Sequence, residues 1–297
     1  WLPSTVAPRR LPARVRRGAC HRGGMSTATM LAFSKRFRWQ HVASGVTSVC
    51  VFNAAALLGL GKTYRWIYED EEKAARAFMD KYGQPSEAQR LELFAYVARN
   101  VDKTSDVPDA TPAPRLRKDH FAHARGDVLE VAVGTGEGVE ALLPEAVSSY
   151  VGVDCVEAMV EAARGRLGAL PAALAPSVEL GDAHRLPFPD RSFDTVVASQ
   201  CLCSVEHPEV ALREMARVCR PDGEILLVEP GVARSWPVRA GQRYLGLRPK
   251  LKHAWEAGWF DDRDVPALME ACDALEVTDM RTRALGNWYL VRARPRS

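Results

Sequence analysis

The sequence predicts an α/β fold: a mostly parallel sheet with helices on both faces and an antiparallel hairpin at one edge. Three observations carry this. From residue 126 onward, strand and helix patterns alternate every roughly 15 to 30 residues, the order that βαβ units leave in a chain. A glycine loop, "GTGEG" at 134–138, follows the first strand and opens the next helix. The last two strand-like runs are separated only by "ALG" at 284–286, too short for a parallel crossover, so they pair antiparallel.

The apolar runs place seven strands at 127–133, 150–154, 177–180, 193–199, 224–229, 274–283 and 287–294. "PDG" at 221–223 reads as a turn feeding the fifth of them. Upstream, residues 67–100 read as two amphipathic helices split by "YGQPS", whose Pro85 and Ser86 suit the start of the second. Residues 102–120, polar and rich in proline, read as a linker or an exposed approach to the domain that occupies 121–297.

The chain of 297 residues has a globular composition, 47% hydrophobic and 26% charged, which argues against disorder. Its formal charge of +3 hides an asymmetry, because residues 1–68 carry eleven Lys or Arg and no Asp or Glu. The remainder is acidic, at 29 basic against 37 acidic residues, or −8. The bases at 1–38 are almost all arginine among Ser, Thr, Ala and Pro. That is the composition of a mitochondrial presequence, favoured here over a nucleic-acid arm.

Residues 42–61 contain no charge and have the length of a bilayer span, with Trp39 and Tyr64/Trp66 as flanking anchors. The expectation is a single-pass anchor in the mitochondrial inner membrane; a buried helix is the alternative. Seven cysteines without a Cys-x-x-Cys pair point to reduced thiols, and no metal site is expected.

The loop spacing is G-x-G-x-G, with Val139 where a dinucleotide fingerprint has its third glycine. It has no lysine to meet phosphates. Asp154 follows Gly134 by twenty residues at the end of the second strand, where a carboxylate can take both ribose hydroxyls. Glu137 in the loop and Glu130 before it would repel a pyrophosphate and suit a nucleoside with a cationic end, the shape of S-adenosylmethionine.

These residues resemble the class I S-adenosylmethionine-dependent methyltransferases of the type 11 kind, and the likeness runs through 126–295. "LEVAVGTGEG" looks like their first motif and "YVGVD" their second strand with its acidic end. "GDAHRLPFPDRSFDTVVAS" is similar to their third and fourth motifs, and "REMARVCRPDGEILLVEPG" to the helix, turn and fifth strand beyond them. The resemblance implies a seven-stranded Rossmann-like sheet and S-adenosylmethionine as methyl donor. It implies that Gly134, Thr135, Gly136 and Gly138 form the loop around the methionine portion, with Glu130 ordering that loop and attracting the ammonium. Asp154, with Cys155 beside it, takes the ribose; Asp182 and the Ala183 amide take adenine; Ser199 and Gln200 face the methyl group or the ammonium.

Methyl transfer from a sulfonium needs mainly an aligned, desolvated nucleophile, so a catalytic base is optional. His207, just after the fourth strand, is the candidate base, and capping of the next helix is its alternative role. "SQCL" at 199–202 stands where amide and base methyltransferases carry a proline-aromatic tetrad, and the domain is acidic, so nucleic acid is not expected as a partner. The acceptor expected is a small lipophilic molecule or a thiol at a mitochondrial membrane. A quinone ring or a phospholipid is the first alternative; the second is a non-catalytic assembly factor on a mitochondrial complex. The post-strand run is similar to membrane-anchored thiol S-methyltransferases, and the overall order to Oms-type mitochondrial proteins, but "ARSWPVRAGQRYLGLRPKLKHAWEAGWF" at 233–260 departs from both.

Overall fold

The computed structural model describes Gly83 and residues 85–100, 112–142, 144–239, 258–260 and 263–296. The basic arm, the candidate span at 42–61 and the first upstream helix lie outside the described residues. Among the described residues no helix is long and apolar enough to cross a membrane.

The helices are α1 (Glu87–Arg99), α2 (Ala113–Phe121), α3 (Glu157–Arg164), α4 (Pro208–Val218) and α5 (Val265–Ala271). The strands are β1 (Gly126–Val131), β2 (Val147–Asp154), β3 (Ser177–Leu180), β4 (Phe193–Ser199), β5 (Cys219–Pro230), β6 (Leu275–Arg283) and β7 (Trp288–Pro295). They form one sheet in the order β3-β2-β1-β4-β5-β7-β6. β7 runs antiparallel to both its neighbours and every other pairing is parallel. The strand order reverses between β1 and β4, so the crevice at their carboxyl ends is the place for a ligand.

Period-two alternation divides the core between the two faces. Ile225 and Leu227 of β5 pack with Leu212, Met215 and Met269 on one side. Leu226 and Val228 pack with Leu116, Phe121 and Leu142 on the other. Each such fully buried side chain contributes about 1.5–3 kcal/mol.

The structure corrects three of these expectations. β5 begins at Cys219, five residues before the expected strand, and "PDG" is not a turn ahead of it but a bulge within it. Phe193 pairs with Cys219 and Thr195 with Glu224, so four residues on β5 oppose Asp194 alone. Proline cannot donate to the ladder, and Gly223 admits the close approach, since a Cβ there would lie 2.7 Å from Asp194 O and Cys219 Sγ.

The stretch expected as a linker ends in α2, a core helix. Two of its polar residues, Arg117 and His120, are buried: the His120 ring donates to Val291 O at 2.9 Å, and burial holds its pKa below the ordinary value. Pro114 falls in the first turn, where a missing N–H costs nothing. The third correction concerns the charge of the glycine loop and belongs to the site.

α1 starts as expected. The Ser86 side chain accepts from Gln89 N at 3.3 Å, and Gln89 Oε1 accepts from Ser86 N at 2.9 Å, a reciprocal cap. Its apolar side, Leu91, Phe94 and Ala98, packs on Val156, Ala158 and Met159 at the start of α3.

Candidate cofactor and methyl-transfer site

β1 delivers the glycine loop to the crevice. Ala132, just past the strand, sits at φ 56°, and Gly134 and Gly136 at φ 57° and 85°. An added Cβ on Gly134 would meet nothing within 4 Å, so the backbone there faces open space. One on Gly136 would lie 2.9 Å from Ala163 Cα, so this glycine lets the loop close onto α3. Gly138 has another reason: a Cβ would overlap the Glu130 carboxylate beneath it. Thr135 is half-buried between these glycines.

Asp154 does more than await a ribose. Its Oδ2 accepts from Gly134 N at 2.9 Å and its Oδ1 from Val156 N at 3.0 Å, which ties the glycine loop to the end of β2. A carboxylate has about four lone-pair positions, so acceptor capacity remains for ribose hydroxyls. Burial raises its pKa above the ordinary value, opposed by the bonds from Val156, Gly134 and Cys155. Cys155 beside it is exposed, and partial burial with the nearby Asp154 and Asp182 carboxylates raises its thiol above the ordinary value.

The loop is less negative than its composition implies. Glu137 Oε2 accepts from Arg117 Nη2 at 2.6 Å, an ion pair that offsets its charge. Glu130 is fully buried, Tyr150 donates to it at 2.6 Å, and burial pushes its carboxyl up to about 7 against that bond and the nearby Arg117. The expected repulsion of a pyrophosphate therefore rests on less charge than two free carboxylates.

Arg117 is the residue that sequence reasoning missed. It is buried on α2, with Nη1 3.5 Å from Gln200 Oε1 and Nε unpartnered among the described residues. It joins the glycine loop to the end of β4, where the methionine portion would lie. The signal available was an arginine next to the apolar Leu116 in the helix just before the first motif.

At the end of β4, Ser199 Oγ is shielded from solvent without a hydrogen-bond partner among the described residues. Gln200 comes next at φ 56°, a conformation non-glycine residues hold only where the surroundings impose it. The next turn is pinned from four directions. Buried Glu229 accepts from Cys201 N and Leu202 N at 2.9 and 3.1 Å. Phe260 N donates to Cys203 O at 2.7 Å, Arg90 Nη1 to Ser204 O at 2.6 Å, and Arg263 Nη2 to Val205 O at 2.7 Å. Cys201 and Cys203 are core residues, with the Cys201 thiol held high by burial.

Asp182 and Ala183 lie on the loop after β3; the Asp182 carboxylate is largely exposed, and Ala183 is buried. His207 is the N-cap residue of α4 without a side-chain capping bond. Its ring is 63% exposed with Nδ1 3.4 Å from Glu209 Oε1, on the rim of the crevice.

The residues present fit S-adenosylmethionine: open space over Gly134, a Ser199 hydroxyl without a partner among the described residues, a buried guanidinium at the expected methionine end, and a carboxylate at each expected nucleoside contact. A methyltransferase domain family model matches residues 129–227. The chain is 37% identical over 180 residues to a phosphatidylethanolamine N-methyltransferase of Cereibacter sphaeroides, covering 60% of this chain and 84% of that one. It is 33% identical over 158 residues to a demethylmenaquinone methyltransferase of Symbiobacterium thermophilum, spanning 50% of this chain and 62% of that enzyme. Among solved structures the cyclase SpnF shares the fold, with a TM-score of 0.56 at 16% identity over 71% of this chain and 97% of SpnF. The chain belongs to the class I S-adenosylmethionine-dependent methyltransferases, and S-adenosylmethionine is its cofactor.

Arg117→Met is expected to weaken S-adenosylhomocysteine binding by about tenfold to a hundredfold, the size of a lost charge-assisted bond. 5′-Methylthioadenosine, which lacks the amino-acid end, should bind as before. Calorimetric titration with both ligands checks this; equal losses for the two would remove Arg117 from the methionine end.

Proposed function

We propose that this methyltransferase acts on a lipophilic acceptor of the phospholipid-amine or quinone-ring class at a mitochondrial membrane, with 1–38 as targeting arm and 42–61 as anchor. The observation that carries the reading is the 37% identity extending over 84% of the phosphatidylethanolamine enzyme. The uncharged span at 42–61 and the Arg-rich arm support the membrane and the compartment.

When bound, the cofactor supplies an electrophilic methyl group on a sulfonium. The protein's part is alignment and water exclusion. Gly134 and Gly136 bring backbone close to the methionine portion, Arg117 holds its carboxylate, and Asp154 and Asp182 hold the nucleoside. The pinned turn at 200–205 forms the wall from which an acceptor lone pair reaches the methyl carbon. With the cofactor bound, its sulfur would keep the carbon–sulfur electron pair, and the acceptor's proton would be left for solvent or a side chain to take. His207, exposed on the rim, could relay that proton to solvent but is not required.

The full chain incubated with methyl-labelled S-adenosylmethionine and a mitochondrial membrane extract should place label in the organic-soluble fraction, and Asp154→Ala should leave the background only. Label confined to small thiols would replace the lipid acceptor by a thiol. Label only in protein, or none despite cofactor binding, would sink the lipid reading; the latter would favour a scaffold role, which the fold alone does not exclude.

A further inference from the structure

Asp182 does not stand alone at the adenine end. Its Oδ1 accepts from His184 N and faces His184 Nδ1, both at 2.8 Å, while the other side of the same ring meets a different element. His207 N lies 3.2 Å from His184 Nε2, and the two imidazoles meet edge to face with centroids 5.9 Å apart. A backbone N–H can only donate, so Nε2 must be the acceptor and carry no proton. The ring is therefore the Nδ1-H tautomer, and Nδ1 donates to Asp182. The His184 side chain is largely enclosed, so the tautomer is set by protein partners on both nitrogens.

The two ends of this relay belong to different halves of the site. Asp182 lies on the loop after β3, at the nucleoside. His207 closes the turn after β4, whose carbonyls and amides are held by Glu229, Arg90 and Arg263, and it begins α4. With Oδ1 taken twice by His184, Oδ2 is the oxygen left to face an adenine amino group.

We propose that His184 is a positioning residue with two separable tasks: its Nδ1-H orients the Asp182 carboxylate for adenine, and its Nε2 ties that orientation to the acceptor-side turn at 200–207. Cofactor binding at Asp182 then orders the acceptor wall through one imidazole. The inference rests on Asp182 being the adenine contact.

Two substitutions divide the tasks. In His184→Asn the amide nitrogen stands near the place of Nδ1 and can donate to Asp182, but nothing reaches His207 N. In His184→Gln the amide oxygen stands near the place of Nε2 and can accept from His207 N, but the donor to Asp182 is lost. The measurements, on the full chain, are S-adenosylhomocysteine affinity by calorimetry and hydrogen exchange across 201–210 with and without that ligand.

In the native protein the ligand should slow exchange across 201–210. His184→Asn should keep affinity within about twofold yet exchange faster across 201–210 and no longer respond to ligand, whereas His184→Gln should keep the turn protected and lose affinity about tenfold, the loss also expected for Asp182→Asn. If Asn and Gln variants behave alike in both measurements, His184 is only packing and the proposal fails. If Asp182→Asn binds like the native chain, the adenine assignment fails and takes the proposal with it. The native titration still reads cofactor binding in that case, so the methyltransferase reading survives separately.

Discussion

Gly136→Val should reduce S-adenosylmethionine binding at least a hundredfold while the domain still folds. A side chain at 136 meets two independent obstacles. Its φ of 85° lies in the left-handed region, which costs an L residue about 1–2 kcal/mol and a β-branched one the upper end or more. Its Cβ would also lie 2.9 Å from Ala163 Cα and 3.2 Å from Ala163 Cβ. Those atoms are the backbone and the short, fixed side chain of a helix residue in a buried cluster with Val133, Val160 and Val178, so they cannot swing aside as a long side chain would. Overpacking of this kind costs about 1–3 kcal/mol more. The sum, roughly 2–5 kcal/mol, sits within the stability of an ordinary domain, so the chain folds with the loop displaced. Displacement moves the backbone that would line the methionine portion.

Gly134→Ala provides the contrast. A Cβ there meets no protein atom, so the apo protein should lose only about 1 kcal/mol of backbone strain, while a methyl projects into the space meant for the ligand. Thermal unfolding without ligand, beside calorimetric titration with S-adenosylhomocysteine, separates the cases. Position 136 should affect both measurements; position 134 should affect mainly binding. Native affinity in both variants would refute the assignment of this loop.

Where each signal lives decides how much was legible in the sequence. β3 and β4 coincide with the runs expected from the sequence because alternation and flanking breakers are local. The candidate site residues were legible where their placement is tied to position along the chain: glycines after the first strand, an acid ending the second, Ser199 and Gln200 at the end of the fourth. The parts that were not legible depend on tertiary pairing. α2 looked like linker because its prolines and charges suit a solvated segment; only the fold shows Pro114 in a first turn and Arg117 meeting Glu137 twenty residues on. The bulge at 220–223 is set by what β4 offers opposite it. The His184 relay joins residues 23 apart through a backbone amide, which no side-chain pattern announces.

The second large effect is expected at Glu229, an acid in the otherwise apolar run "ILLVEP" and fully buried. It holds the turn after β4 by accepting the amides of Cys201 and Leu202. Glu229→Leu would leave two buried N–H groups unpaired, a loss of about 2–6 kcal/mol, and would free the turn proposed as the acceptor wall, so methyl transfer should fall with stability.

The pH dependence discriminates further. Burial pushes this carboxyl up to about 8 from the ordinary 4.5, against the amide bonds that favour its ionised form. Below 4.5 both folded and unfolded chains hold the proton and no penalty arises. Between 4.5 and about 8 the folded chain keeps a proton that the unfolded chain has released, so stability falls as pH rises, and above 8 the full penalty stands at about 4–5 kcal/mol. Glu214 runs the other way: the hydrogen bond from Arg217 holds its pKa below the ordinary value, so its contribution is lost only as pH falls beneath the carboxylate range.

Unfolding free energy from denaturant titration should therefore rise as pH is lowered from about 9 to about 5, with a slope approaching one proton from Glu229 and a second contribution from Glu130. In Glu229→Gln the amide oxygen keeps one of the two bonds and the Glu229 part of the slope disappears, leaving the Glu130 part and, below about 6.5, the opposing contribution of His120, whose lowered pKa costs stability as pH falls. Parallel pH profiles for native chain and variant would mean that Glu229 is ionised throughout and that its two amide partners outweigh burial.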